Sequence, residues 1–245
     1  MKDEEEPVNA PVRARRWRWA AVGVGVAVLV AVGGPYAYTH LVEGKAPAPL
    51  SAAAGSPTTQ VSSTAASADD QSLDGTWRVG SGSQAGYRVK EVLFGQQNEA
   101  VGRTSSVSGE LAVKGSQVTS GSLSVDLTTV QSDQSRRDGQ FQGRIMDTAS
   151  HPTATFALTQ PIALPSQPAD GATVSAKAQG KLTLHGTTRD VTVTVTAKRG
   201  GEKFQVSGQI PITFADWSIP NPSFGGLVTT EDHGQVEFLL VLTHA

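Results

Sequence analysis

Between Asp74 and Ala245 run after run has apolar side chains at every second position, and this alternation constrains the fold more than any other feature of the chain. In "GELAVKGS" the apolar pair is Leu111 and Val113. In "GSLSVDLTTV" it is Leu123, Val125 and Leu127, and in "RDVTVTVTAK" it is Val191, Val193 and Val195. Runs of the same kind occur at "TWRVG", "GYRVKEVLF", "TATFALTQ", "ATVSAKAQGKLTLHG", "EKFQVSGQIPITF" and "GQVEFLLVLTH", punctuated by Gly pairs and by loops such as "SQPADG" and "KRGGEK". A period of two puts each run's apolar residues on one face of an extended chain. About eight or nine such strands joined by short turns, with almost no helical periodicity, predict an antiparallel β-sandwich or β-barrel.

One run bears on that choice. In "GATVSAKAQGKLTLHG" the residues in phase with Leu182 and Leu184 are Ala172, Val174, Ala176, Ala178 and Gly180, so one face is small at one end and large at the other. A sandwich must fill such a gap from its second sheet, whereas a closed barrel can leave it as a cavity. The competing expectation is that the small residues pack beneath an aromatic side chain such as Phe156 or Trp217.

The N-terminal third is built differently. Trp19 to Val42 carries no formal charge, which suffices to cross roughly 30 Å of hydrocarbon as a helix. Arg13, Arg15, Arg16 and Arg18 flank one end, and Trp17, Trp19, Tyr36 and Tyr38 mark the two interfaces. The basic end is expected in the cytoplasm. Residues 1–18 are then a cytoplasmic tail, 19–42 a single transmembrane helix, and the remainder extracytoplasmic. A cleaved signal peptide is the alternative, but the small-residue sites in "KAPAPLSAAAG" lie well past the apolar run. Residues 43–73 are a Pro/Ala/Ser/Thr-rich stretch with no repeated large apolar residue, expected as a disordered linker reaching on the order of 30 Å. The folded domain is placed at 74–245.

Composition excludes several functions. From Asp74 onward 14 Lys and Arg face 15 Asp and Glu, so there is no basic field to attract nucleic acid. The absence of cysteine excludes disulfides, thiol chemistry and Cys-ligated metals. His40, His151, His185, His233 and His244 never fall within metal-ligand spacing of one another, no nucleophile elbow is present, and no helix follows the "GSGSQAG" loop to hold a phosphate. Neither a metal, a cofactor nor catalysis is expected. Glu91 shares the inward phase of Tyr87 and Val89, where an unpaired carboxylate is costly; the competing expectation is that a bulge or strand end places it at the rim in water.

The stretch "RRDGQFQGRIMDTASHPTATF" stands apart from this β-pattern. Arg137-Asp138, then Phe141, Ile145 and "HPTATF", resembles the signature of the YceI-like family; "GKLTLHGTTRDVTVTV", "FADWSI" and the final "GQVEFLLVL" are similar to that family's later strands. The likeness runs from about residue 75 to 244. It implies an extended antiparallel, lipocalin-like β-barrel of about eight strands with a short helical lid segment, whose apolar bore binds a polyisoprenoid such as a polyprenyl phosphate or quinone. On this reading Tyr87, Val89, Glu91, Phe141, Ile145, Phe156, Leu182, Leu184 and Trp217 are expected at the cavity, with Met146 beside Phe141 in the lid and Arg137 and Asp138 fastening it to the wall. The chain departs from the family in carrying Glu91 where many members place a histidine, and in its preceding apolar span. A barrel filled by its own side chains and used as an envelope stress or protein-interaction module is the alternative.

Overall fold

The computed structural model describes residues 46–52, 73–93, 95–164, 170–223, 225–226 and 228–245; the expected transmembrane helix at 19–42 lies outside them. Among the described residues no helix is long and apolar enough to cross a membrane. The alternating runs form β1 (Gly75–Val79), β2 (Gln84–Leu93), β3 (Gln96–Thr104), β4 (Val107–Lys114), β5 (Gln117–Asp126), β6 (Thr153–Leu158), β7 (Ile162–Ala163), β8 (Thr173–Leu184), β9 (Thr187–Gly200), β10 (Lys203–Thr213), β11 (Val228–Thr230) and β12 (His233–His244). All pairings are antiparallel, in the order β1-β4-β5-β6-β8-β9-β10-β12, and β12 pairs back to β1, so the sheet closes. Closure removes the free edges that an open sheet must protect.

Eight staves make the barrel, because β1 with β2, and β3 with β4, are single long strands with a break. β2 pairs with both β3 and β12 above the break, and β1 with β4 and β12 below it. At the first break, Gly80–Ser83, the backbone leaves the ladder. There the Ser83 hydroxyl accepts from the Val241 amide (2.9 Å) and donates to the Gly80 carbonyl (2.7 Å), so no backbone donor of β12 is stranded.

β3 is the one long strand without an apolar alternation in its sequence. Its inward positions include Asn98, Ala100 and Gly102, and the reason is packing: a β-carbon on Gly102 would lie 2.4 Å from the Tyr87 ring, which occupies that space from the neighbouring strand. Gly180 plays the same part for Phe156. A β-carbon there would lie 2.2 Å from the Phe156 ring and 2.6 Å from the Ala157 carbonyl oxygen. Gly180→Ala is therefore expected to cost roughly 1–3 kcal/mol in a urea melt, since backbone as well as side chain must shift.

Between β5 and β6 the chain forms α1 (Ser135–Gln140), which widens into a π-turn at Phe141–Ile145. The Met146 amide donates to the Phe141 carbonyl (2.8 Å), the i to i+5 bond of that wider turn. Phe141 and Met146 both become buried as a result. This is the helical lid segment, and it caps one end of the barrel.

The expected linker is not uniform. Residues 46–52 lie with the barrel as part of one compact unit, with Leu50 and Ala52 buried.

Candidate functional site: an apolar bore closed at one end

The barrel interior has two packed layers and a hollow. At the lid end Phe141, Met146, Phe214, Trp217, Leu184 and Ile212 belong to one buried cluster that also takes in Val89 and Leu182. At the other end Leu73, Trp77, Phe204, Leu240 and Leu242 form a second. Trp77 meets Phe204 edge to face at 5.1 Å, and its indole N–H donates to the Leu73 carbonyl (2.9 Å), so its polar atom is satisfied against the backbone.

The hollow has a volume of about 190 Å³, is walled by the inward faces of β4, β5, β6, β8, β9, β10 and β12, and reaches the residues of the second cluster. Its position follows from residue size. Ala176 and Ala178 of β8 and Ala154 of β6 leave the space that large side chains fill at the lid end. The inward residues of β6, Ala154, Phe156 and Leu158, are only half-buried and all line the hollow. Among the lining side chains only Thr155 and Trp77 carry a polar atom. A cavity this apolar offers water no partners, and its volume is far above the roughly 10–15 Å³ needed to hold one molecule. Space of this kind takes up apolar matter.

The expected site residues divide between hollow and lid. Phe156 and Leu182 line the hollow. Val89, Phe141, Leu184 and Trp217 stand in the packed lid-end cluster, with Tyr87 and Ile145 against it. Trp217 closes the end of the barrel rather than walling the hollow, and its indole nitrogen is, among the described residues, the one buried side-chain polar atom without a hydrogen-bond partner. Part of the wall comes from residues whose alternation in the sequence placed them on inward strand faces without assigning them to a site, such as Leu123, Val125, Val193 and Val195, whereas Val118 and Phe238 were assigned neither a face nor a site.

Glu91, Arg137 and Asp138 organise the lid. Glu91 is buried and its carboxylate accepts from the Asn98 side chain (3.0 Å) and the Arg137 guanidinium (3.2 Å), which also pairs with Asp133 one turn earlier. This ties α1 to β2. Asp138 instead accepts from the Ser132 amide (2.8 Å) and hydroxyl (2.6 Å), so it secures the helix to its own approach rather than to the wall. Tyr87 stacks on Phe141 with ring centroids 4.9 Å apart.

Burial drives the Tyr87 phenol far above its ordinary pKa, against a weaker downward pull from Arg137. The folded chain thus holds this proton more tightly than the unfolded chain. The associated stability is complete below the unfolded phenol value of about 10 and drains away as pH rises from there towards the folded value. Urea midpoints should fall between pH 9 and 11, and Tyr87→Phe should remove the part of that fall carried by the phenol.

Among the described residues there is no cluster of His, Asp and Glu able to hold a metal ion. His151 and His185 touch edge to face at 4.7 Å beside the lid, without a third ligand. What the geometry defines is a closed β-barrel of lipocalin-like form around an almost wholly apolar hollow. The chain belongs to the YceI-like family, whose domain matches residues 77–242. The structure is similar to that of a polyisoprenoid binding domain from Saccharophagus degradans implicated in plant cell wall breakdown, with a TM-score of 0.57 and 16% identity over 69% of this chain and 98% of that one. BcnA of Burkholderia cenocepacia is also similar, with a TM-score of 0.51 and 22% identity over 65% of this chain and 95% of that one. No curated protein matches the sequence.

Proposed function

We propose that this protein is a non-catalytic lipid-binding barrel, held at the extracytoplasmic face of the cell membrane by residues 19–42, and that its bore takes the chain of a polyisoprenoid of polyprenyl phosphate or quinone type. The observation that carries the reading is the hollow itself, with its almost wholly apolar wall. The Saccharophagus degradans domain, described as polyisoprenoid-binding, supports the choice of ligand. A barrel filled by its own side chains, the protein-interaction alternative, would lack such a space.

Energetics suit exchange with a bilayer. Burying a five-carbon prenyl unit is worth roughly 3–4 kcal/mol relative to water, at about 0.8 kcal/mol per carbon group. A membrane offers the same environment, so the apolar contribution to transfer from membrane to bore is nearly balanced. Head-group contacts and tethering then decide occupancy. Native mass spectrometry with organic extraction, applied to the protein purified from its own host, tests this. A stoichiometric isoprenoid mass is expected. An empty barrel that also takes up no added polyprenol would overturn the reading.

A further inference from the structure

Glu237 is the most deeply buried charged residue among those described, yet it faces away from the bore. In β12 the bore-facing residues are Val236, Phe238, Leu240 and Leu242, so Glu237 points outward, and it has no exposed surface at all. The cover is residues 46–52, a piece of the chain that precedes the barrel. The Leu50 amide donates to Glu237 Oε2 (3.3 Å) and the Ala52 amide to Ser207 Oγ of β10 (2.9 Å). Arg88 donates to the Pro47 carbonyl (2.7 Å) and Arg103 to the Ala48 carbonyl (2.5 Å). The same two arginines hold the carboxylate: Arg103 from Nε (2.9 Å) and Nη2 (2.8 Å) to Oε1, Arg88 from Nε (3.3 Å) to Oε2. The four hydrogen bonds named between strap and wall all use strap backbone, so they fix an extended shape and its amide and carbonyl spacing.

We propose that Ala46–Ala52 is a reversible strap, and that the outer wall around Glu237, Arg88, Arg103 and Ser207 is its receptor within the same chain. The two prolines, Pro47 and Pro49, favour an extended backbone and lower the ordering cost of docking. Against this, only Leu50 and Ala52 gain burial of apolar side chains, and docking removes water from an ionised carboxylate, which its partners must offset. The balance is small, so the strap opens and closes without unfolding the barrel. Its consequence is a change in free chain. With the strap docked, three residues of sequence, 43–45, separate the proposed anchor from the first held residue, whereas release puts all 31 residues of 43–73 between anchor and barrel. The docking itself does not depend on what the bore carries; its effect on reach rests on the proposed anchor.

The test uses the whole 245-residue chain, whose lack of cysteine gives a clean background. Ala52→Cys with Ser207→Cys should close an intramolecular disulfide under mild oxidation, leaving a single chain mass. Free thiols after oxidation, or a disulfide joining two chains, would overturn docking within one chain. Independently, hydrogen exchange should show the Leu50 and Ala52 amides slowed roughly tenfold or more relative to an unstructured peptide. Ala52→Pro, which alters the strap and not the barrel, should return Leu50 to the free rate while core amides of β12 stay protected. Exchange at the free rate in the unsubstituted chain would overturn the strap. So would a Leu50 amide indifferent to Ala52→Pro. Neither measurement involves a lipid, so failure of the strap and failure of the proposed cargo are separable.

Discussion

Ala176→Trp is expected to lower affinity for a polyprenyl chain at least a hundredfold while leaving the barrel folded. Ala176 projects from β8 into the hollow and is only half-buried, so a larger side chain there displaces cargo rather than a packed neighbour. Excluding one prenyl unit forfeits roughly 3–4 kcal/mol of burial, and about 1.4 kcal/mol corresponds to a tenfold change. The matched control is Ala157→Trp, on the outward face of β6, which should bind as the unsubstituted protein does. Titration with a solubilised polyprenol reads both. Equal affinity in the two variants would mean that the chain is held somewhere other than the bore.

Glu237→Ala should lower stability by about 3 kcal/mol, the low end of what losing one partner of a buried ion pair costs. The two arginines would be stranded unequally. Arg88 is nearly as buried as Glu237 and keeps Glu99, whereas Arg103 is about one-fifth exposed and can turn towards water. Relief of that one partner is the reason for the low end. Urea denaturation measures the change, and Glu237→Gln, which keeps the shape and an acceptor for Leu50, should lose less. A loss below about 1 kcal/mol for Glu237→Ala would show that water, not the strap, surrounds the carboxylate in solution.

Much of this architecture was legible because strand alternation is a local property. The inward faces of β4, β5 and β9 follow directly from Leu111 and Val113, Leu123 and Val125, and Val193 and Val195, all of which line the hollow. The gradient from Ala176 to Leu184 along β8 also marked which end is empty and which is packed. Leu127, by contrast, continues the alternation of β5 in sequence but sits in a short 3-10 turn, whose Asp126 side chain accepts from the Thr128 amide. An Asx cap outweighs the period there.

Other features had no local signature. β3 was unreadable because its packing partner, the Tyr87 ring over Gly102, belongs to another strand. Phe141 and Trp217 are large and apolar wherever they sit; only the closure of the barrel decides that they seal its end and do not wall its hollow. The buried Glu237 is the clearest case. In sequence it is one polar residue on the outward phase of "VEFLLVL", and residues 46–52 belong to a stretch without apolar period.

The sequence by itself determined the all-β class, the antiparallel arrangement, several inward faces and the small-to-large gradient along β8, because a period of two depends only on neighbouring residues in one chain segment. Tertiary structure alone decided which inward residues enclose space, how Arg137 and Glu91 tie the lid, and that Ala46–Ala52 covers an outward carboxylate. Those outcomes depend on distances between residues far apart in sequence, such as Leu50 and Glu237, and on volumes that several strands share. Neither quantity is carried by any single stretch of the chain.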